Sequence, residues 1–394
     1  MTDDVVITGL GVVSPIGCDE RSYWEGLCGG RCGAAEVEGF DTSELTRKMG
    51  CQVREPVPAE RVSGRATELA LWAGRQALAS AGIGGEEAAS ARCSLVLGTT
   101  MGETEFIEGP LFGRGQAELS ADQMLEVVRY GPGMIAEQVR DALGLCGPAA
   151  ELYGACAAGN MALAMGRQHL REGRCDFALV GGADGFSFLA FVGFMRARIM
   201  AAEKVRPFDV NRDGMMVGEG ACMMVLERAE TAQARGAQAR CLVAGCGISA
   251  ESYHPTRPDP EGRGLSQAIR LALEDAGISP EEVDYVNAHG TGTPHNDEIE
   301  VKVLMSCFPK GVPFSSTKAV MGHTMGAASA LEAACCLLSL EEQKLVPTWH
   351  LSEPMETGVL EPLMGGVREA KCRYALNNSA GFGGYNSAVV LGAS

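Results

Sequence analysis

Residues 156–166 read Cys-Ala-Ala-Gly-Asn-Met-Ala-Leu-Ala-Met-Gly, and residues 323–334 read His-Thr-Met-Gly-Ala-Ala-Ser-Ala-Leu-Glu-Ala-Ala. Each stretch opens on a reactive side chain, passes through small residues and then carries apolar residues at helical spacing. The second stretch therefore echoes the first, and both predict a helix that begins beside a reactive group. If the two helices are equivalent, a pseudo-two-fold axis brings Cys156 and His323 together.

Three further echoes accompany this pair in the same chain order. VITGLGVVS at 6–14 returns as LVAGCGISA at 242–250, ALASAGI at 77–83 as ALEDAGI at 272–278, and GEGACMMVLE at 218–227 as GGYNSAVVLG at 383–392. Four echoes in one order indicate a duplicated α/β chain. We predict an N-terminal half at 1–238 and a C-terminal half at 239–394, with two sheets and three helix layers in an α-β-α-β-α arrangement. Residues 100–150 break the pattern and predict an insertion.

Composition narrows the class of protein. The 394 residues carry a net charge of -17, which argues against nucleic-acid binding because phosphate contacts need clustered lysine and arginine. No apolar run approaches the roughly 20 residues that span a bilayer, and the N-terminus lacks the features of a signal peptide. The 15 cysteines form no disulfide framework and no zinc-finger pairs. We therefore expect a soluble cytoplasmic protein with reduced thiols and no metal site.

Cys156 is the first candidate for chemistry. A thiol at a helix N-terminus meets exposed N–H groups and a partial positive charge, which predicts a bias towards the nucleophilic thiolate. The small residues on either side allow a substrate to approach closely. The alternative for this stretch alone is a buried structural cysteine.

The second half supplies three further stretches: Asn287–Thr293 with His289, Ser315–Glu332 with Lys318 and His323, and the glycine-rich segment 377–386. Each alone also fits a satisfied polar residue or a turn. Together with a cysteine they suit acyl transfer through a thioester. Neutral imidazoles can donate N–H bonds to an enolate, a nearby lysine keeps them neutral by charge repulsion, and Glu332 can pair with that lysine. A cysteine protease would need only one histidine with an orienting Asn or Asp.

In order and spacing, these motifs resemble those of the β-ketoacyl-acyl-carrier-protein synthases, in particular the elongating type II enzymes with the thiolase-like fold. The resemblance covers essentially the whole chain. Besides the Cys156 stretch it rests on VVITGLGVVSPIG at 5–17, VGGAD at 180–184, RPFDVNRDGMMVGEGA at 206–221, NAHGTGTPHNDEIE at 287–300, STKAVMGHTMGAASALE at 316–332 and GFGGYN at 381–386.

The resemblance implies a role for each matching residue. Cys156 would accept the acyl group, His289 and His323 would promote malonyl decarboxylation, and Lys318 with Glu332 would support them as an ion pair. The backbone N–H groups of Cys156 and Phe382 would form the oxyanion hole. Phe382, hinged by Gly381, Gly383 and Gly384, would form the gate. Thr291 and Thr293 would contact the phosphopantetheine arm.

The resemblance also implies an acyl carrier protein as partner, a homodimer or a heterodimer with a chain-length-factor-like subunit, and no metal or organic cofactor. Because the carrier is acidic, docking would need local positive charge, and the candidates are Arg61, Arg65 and Arg206. Tyr153 and Tyr385 replace smaller residues common in relatives, so they are candidates for shaping the pocket.

Residues 101–135, in the predicted insertion, would line the pocket and the dimer interface. Their unusual sequence favours a specialised substrate. The alternatives are therefore a secondary-metabolite ketosynthase working as a heterodimer, a non-catalytic pocket-shaping subunit and a CoA-dependent thiolase-like enzyme.

Overall fold

The computed structural model describes residues 4–58, 64–112, 120–128 and 131–394. In the predicted N-terminal half, the strands and helices have the following bounds: β1 Val5–Val13, α1 Glu20–Gly29, β2 Ala35–Glu36, β3 Met49–Gly50, α2 Arg65–Ser80, α3 Gly85–Ser90, β4 Cys93–Gly98, α4 Glu105–Phe112, α5 Ala121–Val128, α6 Met134–Ala142, β5 Ala149–Leu152, α7 Ala158–Arg171, β6 Phe177–Asp184, α8 Phe188–Arg196, β7 Gly220–Arg228 and α9 Ala229–Ala234.

The predicted C-terminal half is built from a similar alternation of strands and helices. Its elements have these bounds: β8 Cys241–Ala250, α10 Arg263–Ala276, β9 Tyr285–Asn287, α11 Pro294–Cys307, β10 Pro313–Ser315, α12 Lys318–Met321, α13 Ala328–Glu342, β11 Lys344–Leu345, β12 Glu361–Pro362, β13 Arg368–Glu369, β14 Tyr374–Ala380 and β15 Tyr385–Ala393.

The strand order of the main sheet shows the duplication directly. The sheet runs β12-β10-β9-β14-β15-β8-β1-β7-β6-β4-β5. Five strands of each half correspond. When they are numbered one to five along the chain, both halves have the order 3-2-4-5-1. The strands counted are β1, β4, β5, β6 and β7 in the first half, and β8, β9, β10, β14 and β15 in the second. The halves meet where β1 and β8 pair antiparallel over only two residues, Val6 with Leu242 and Ile7 with Cys241. The two predicted sheets are therefore joined edge to edge at their first strands.

The helices form the predicted layers around this sheet. α7 and α13 contact each other and the strands of both halves, so they form the central layer. α2 packs on β1, β7 and β6, and α10 packs on β8, β15 and β14 on the outside. A Cβ at Gly159 of α7 would lie 2.6 Å from the Ala330 nitrogen of α13, so the two helices cross at a point where only glycine fits. The α-β-α-β-α prediction is confirmed.

The structural alignment of α7 with α13 differs by three residues from the alignment of their sequences. Each helix follows a short 3-10 turn, Ala155–Ala157 before α7 and Met325–Ala327 before α13. The first residue of each turn has positive φ, 49° at Ala155 and 52° at Met325. Cys156 is thus the structural counterpart of Gly326. The prediction that Cys156 and His323 start equivalent helices is wrong, because His323 precedes its turn.

The predicted insertion contains α4, α5 and α6, and its carboxylates hold neighbouring helices. Glu103 accepts hydrogen bonds from the N–H groups of Ala66 and Thr67 at the start of α2. Glu108 accepts hydrogen bonds from the N–H groups of Phe188 and Leu189 at the start of α8. Such carboxylates satisfy N–H groups that a helix leaves without partners. Glu103 and Glu108 therefore stabilise the N-termini of α2 and α8. That residues 101–135 line a dimer interface stays a prediction. Across the described ranges, no helix has both the length and the apolar character needed to cross a bilayer.

Candidate active site

Cys156 lies in the tight turn between β5 and α7. Positive φ at Ala155 turns the chain sharply, and the Cys156 carbonyl accepts a hydrogen bond of 2.9 Å from the Ser379 hydroxyl of β14. A Cβ at Gly154 would lie 2.4 Å from the Met161 sulfur, so a larger residue there would require the flexible Met161 side chain to move. The turn thus fixes Cys156 against the C-terminal half.

His289 is delivered by the loop that follows β9. The carboxylate of Glu300, nearly two turns into α11, accepts hydrogen bonds from the N–H groups of His289 (2.6 Å) and Gly290 (2.7 Å). The same carboxylate accepts a bond of 2.7 Å from the Asn378 side chain. Sequence reasoning missed Glu300 as the residue that holds this loop. Its position at the end of NAHGTGTPHNDEIE, on a helix whose start is marked by Pro294, was the available signal.

His323 lies between α12 and the turn that leads into α13. Its own N–H donates to the Met216 carbonyl over 2.7 Å, which ties it to the RPFDVNRDGMMVGEGA segment. Its ring Nδ1 accepts a hydrogen bond of 3.2 Å from the Met325 N–H. A backbone donor on Nδ1 assigns the proton of a neutral ring to Nε2.

Lys318 is fully buried and connects His289 to a carboxylate. Its ammonium donates to the His289 carbonyl over 2.6 Å and lies 3.2 Å from His289 Nδ1. It also forms a buried ion pair with Glu332 of α13. Because the ammonium can only donate, we assign His289 Nδ1 as its acceptor and the proton of the neutral ring to Nε2; the Ser379 hydroxyl lies 3.2 Å from the same Nδ1.

The side chains of Cys156, His289 and His323 converge on one point. One potential ligand atom from each lies within 4.8 Å of the other two. The imidazole rings are 5.4 Å apart between centroids and nearly perpendicular, at 82°. The predicted set of Cys156, His289, Lys318, His323 and Glu332 is therefore brought together, with both imidazoles able to offer an Nε2–H donor.

Burial sets the protonation states of the three converging groups. Burial, together with the positive charge of Lys318, lowers the pKa of His289 and His323 well below the usual histidine value, so both rings are neutral at pH 7. Burial raises the pKa of the Cys156 thiol to about 12, and Lys318 opposes this only in part. Desolvation therefore opposes the expected thiolate bias in the resting protein. The thiol must lose its proton as it reacts.

Three ligand-type side chains at this spacing raise the possibility of a metal. Zinc bound by a neutral histidine takes the lone pair of a ring nitrogen. In both rings Nδ1 already accepts a hydrogen bond, and Nε2 carries the proton. A metal would have to displace these protons against two fixed donors, so the arrangement suits hydrogen-bond donation better than metal ligation.

A cavity of about 570 Å³ opens onto Cys156, His289 and His323. Thr291 and Thr293 line it, and their hydroxyls lie 2.8 Å apart. The structure therefore places both predicted phosphopantetheine contacts beside the reactive groups, where two small hydroxyls can bond an amide-containing arm.

The segment Gly381–Gly384 forms one wall of this cavity. φ is 82° at both Gly383 and Gly384, and a Cβ at Gly384 would lie 2.0 Å from the Glu251 carbonyl oxygen. Gly383 donates to the Pro255 carbonyl over 2.8 Å. The Phe382 ring is 40% exposed and lies 5.8 Å from the ring of Phe194. Phe382 is thus held beside Cys156 by a backbone that only glycine adopts readily.

The predicted docking arginines have different surroundings. Arg61 lies outside the described residues. Arg65 forms an ion pair of 3.0 Å with Glu219, so its charge is already compensated. Arg206 is partly exposed and forms no salt bridge with any described residue. Sequence reasoning missed Arg198 and Arg257, which are exposed and line the cavity itself.

Tyr153 and Tyr385 do not line the described cavity. Tyr153 is 46% exposed at the end of β5, and its hydroxyl donates to Glu151 over 2.7 Å. Tyr385 starts β15 and is 39% exposed, with its ring beside Gly383. A direct effect of either ring on the pocket stays a prediction.

Comparison with known proteins agrees with this geometry. The model of the β-ketoacyl synthase N-terminal domain matches residues 2–232, and that of the C-terminal domain matches residues 240–352. The chain belongs to the β-ketoacyl synthase family. It is 33% identical over 407 residues to 3-oxoacyl-[acyl-carrier-protein] synthase 2 of Staphylococcus aureus strain COL, covering 98% of this chain and 97% of that relative.

Two solved structures of this family are similar over almost the whole length of the synthase chain. The ishigamide ketosynthase/chain length factor has a TM-score of 0.93 and 35% identity, with 99% of each chain covered. A type II polyketide ketosynthase in complex with its acyl-carrier protein and bound to the hexaketide has a TM-score of 0.90 and 26% identity, again with 99% of each chain covered.

Proposed function

We propose that this synthase condenses an acyl group held on Cys156 with malonyl-acyl-carrier-protein, releasing carbon dioxide and giving 3-oxoacyl-acyl-carrier-protein. The observation that carries the proposal is the convergence of one thiol and two neutral imidazoles within 4.8 Å, with both ring protons assigned to Nε2. A thiol serves to accept an acyl group. Two fixed N–H donors serve to stabilise a developing enolate oxygen.

The first half-reaction loads the enzyme. The Cys156 sulfur attacks the carbonyl carbon of a carrier-bound acyl thioester, and the oxyanion accepts bonds from the N–H groups of Cys156 and Phe382. A C–S bond forms at Cys156 while the C–S bond to the carrier breaks. The carrier leaves as a free thiol with the proton that Cys156 gives up.

The second half-reaction extends the chain. The malonyl thioester loses its carboxylate as carbon dioxide, and the electron pair of the broken C–C bond forms an enolate whose oxygen accepts the Nε2–H bonds of His289 and His323. The enolate carbon attacks the thioester on Cys156 and forms the new C–C bond. Cys156 leaves as thiolate and takes up one proton. The carrier delivers activated substrates, so the proposed chemistry uses no metal or organic cofactor.

The acyl carrier protein is the proposed partner. The synthase has a net charge of -17, so an acidic carrier needs a local site of opposite charge. Arg198 and Arg257 at the cavity form no salt bridges with described residues, and Arg206 has the same property. We assign carrier docking to these arginines. Thr291 and Thr293 then bond the phosphopantetheine arm.

A heterodimer in secondary metabolism is the second candidate setting for the same reaction, with a homodimer as the alternative. It is favoured by the likeness to a ketosynthase/chain length factor structure at 35% identity. β5 lies at the edge of the main sheet, and an edge strand offers unpaired backbone groups to a second subunit. Native mass spectrometry after co-expression with neighbouring genes separates the two assemblies. A cytoplasmic location is part of this proposal.

Acyl-enzyme formation tests the reaction. The purified protein is incubated with a panel of acyl-carrier thioesters, and the intact mass is measured. We expect one acyl adduct on the wild type, none on Cys156→Ala, and an unchanged adduct on Cys32→Ala, a control at an exposed thiol. An adduct on Cys156→Ala, or no adduct on the wild type with any thioester, would overturn the proposal.

A further inference from the structure

The carboxylate of Asp184 lies outside the reactive set but contacts its framework. Asp184 ends β6 and is fully buried. Its Oδ1 accepts bonds of 2.8 Å from the Thr99 hydroxyl and the Met101 N–H. Its Oδ2 accepts bonds from the N–H groups of Thr100 (2.8 Å) and Gly326 (2.6 Å). One carboxylate from the N-terminal half therefore fixes the turn that precedes α13.

The bond to Gly326 adjoins the donor that sets the state of His323. The preceding residue, Met325, has φ of 52° and donates its N–H to His323 Nδ1. Positive φ is unfavourable for a residue with a side chain, so this turn persists only because its surroundings hold it. A Cβ at Gly326 would lie 2.7 Å from Asp184 Oδ2 and 2.6 Å from the Thr99 Cα. The glycine thus allows the carboxylate to reach the turn.

We propose that Asp184 is a positioning residue, which holds the Met325–Gly326 turn so that His323 Nδ1 remains an acceptor and the ring proton stays on Nε2. The inference rests on the proposed function, because the Nε2–H matters through the enolate that it stabilises. Without the turn, the His323 proton is free to move to Nδ1, and one of the two enolate donors is lost.

The negative charge of Asp184 has a separate effect, which allows an internal control. Its charge contributes to raising the pKa of the Cys156 thiol. Removing the charge therefore makes Cys156 more reactive towards an alkylating reagent, whatever happens to the turn. Asp184→Ala removes both the charge and the acceptor. Asp184→Asn removes the charge but keeps an amide oxygen that can accept from Gly326 and Thr100; its NH₂ group then faces the Thr99 hydroxyl and no longer accepts from the Met101 N–H.

The experiment compares wild type, Asp184→Ala, Asp184→Asn and Thr99→Val in four assays. Histidine-labelled protein reports the His323 tautomer through its 15N shifts, assigned with His323→Asn. Malonyl-carrier decarboxylation and acyl loading of Cys156 are measured separately, and iodoacetamide reports thiol reactivity. We expect Asp184→Ala to lose the Nε2–H tautomer and about tenfold or more of decarboxylation, as for loss of one oxyanion donor. Acyl loading should stay within about threefold of wild type.

The expected results for the other variants distinguish positioning from general stability. Asp184→Asn should keep the tautomer and most decarboxylation, yet react faster with iodoacetamide, as should Asp184→Ala. Thr99→Val removes one donor to Asp184 Oδ1 but leaves the bond from Gly326 to Oδ2, so it should keep the Nε2–H tautomer of His323. Retention of the Nε2–H tautomer in Asp184→Ala would overturn the inference, as would an equal fall of both half-reactions in the two Asp184 variants.

Two further measurements keep the test informative. If Asp184→Ala does not fold, amide hydrogen exchange of Met325 and Gly326 in the wild type tests the same contacts, and rapid exchange at both would refute them. If the wild type neither loads an acyl group nor decarboxylates, the proposed function fails. The tautomer and alkylation results still decide whether Asp184 positions His323.

Discussion

Removal of Lys318 tests the electrostatic design of the site most directly. Its ammonium is fully buried, contacts His289 twice and pairs with Glu332. In Lys318→Met, Glu332 is left as a buried carboxylate without its cation. Breaking a buried pair on one side costs about 3–5 kcal/mol of stability, whereas replacing both partners with apolar residues is close to neutral. We therefore expect Lys318→Met to lose about 3–5 kcal/mol and Lys318→Met/Glu332→Leu to recover most of it.

Activity should not recover with stability. Both variants lack the ammonium that keeps His289 Nδ1 an acceptor, so His289 can move its proton away from the enolate. A lost charge-assisted hydrogen bond is worth about 1.5–3 kcal/mol, which corresponds to roughly 10- to 150-fold in decarboxylation rate. Urea denaturation measures the free energy of unfolding, and release of labelled carbon dioxide from malonyl-carrier measures the rate. A double variant that regains both stability and decarboxylation would refute the assignment of Lys318 to the tautomer of His289.

Three further predictions use other parts of the site. Burial lowers the pKa of His323 in the folded protein, so the unfolded chain binds this proton first as the pH falls. Relative to His323→Asn, the wild type should therefore lose stability below about pH 6.5, by up to about 1.4 kcal/mol per pH unit. Urea denaturation at several pH values measures this difference. Equal pH slopes would show that this ring is not buried and neutral. Gly384→Ala places a Cβ 2.0 Å from the Glu251 carbonyl and should slow acyl loading by at least about tenfold in stopped-flow assays. The control is Gly82→Ala, since Gly82 also has positive φ but has open space around it. That variant should load normally and lose about 1–2 kcal/mol of stability. Arg257→Glu should raise KM for the acyl carrier by about tenfold at low salt and leave KM for a pantetheine thioester unchanged; an equal rise in both would show that Arg257 acts on the pantetheine arm rather than on the carrier surface.

The fold was largely predictable because the two halves of the sequence repeat similar apolar stretches in the same order. The echoed stretches at 6–14 and 218–227 correspond to β1 and β7, and those at 242–250 and 383–392 correspond to β8 and β15. The joining of the halves at β1 and β8 was not predictable, because it depends on only two residue pairs between distant parts of the chain. The three-residue offset between the central helices was also hidden. Alignment of the two sequences pairs Cys156 with His323, whereas alignment by backbone conformation pairs Ala155 with Met325.

The site was predictable in its members but not in its protonation. Motifs identified Cys156, His289, Lys318, His323 and Glu332, and the structure brings them together. The thiolate prediction considered only the helix N-terminus, whereas desolvation of the thiol is the larger effect in the folded chain. Glu300 and Asp184 lie in motifs that were quoted, but they were missed because the sequence does not show which backbone N–H groups their carboxylates bind. Their partners are set by tertiary contacts.

The two structurally equivalent turns explain how one duplicated element serves two purposes. In the N-terminal half, the turn at 155–157 presents a side chain, Cys156, to the cavity. In the C-terminal half, the counterpart residue is Gly326, which has no side chain, and the turn instead presents the Met325 N–H to His323. The same positive φ at the first residue makes both presentations possible. The two halves therefore use one backbone conformation differently: the absence of a side chain at residue 326 leaves room for the Asp184 carboxylate, and the backbone of the turn is part of the histidine site.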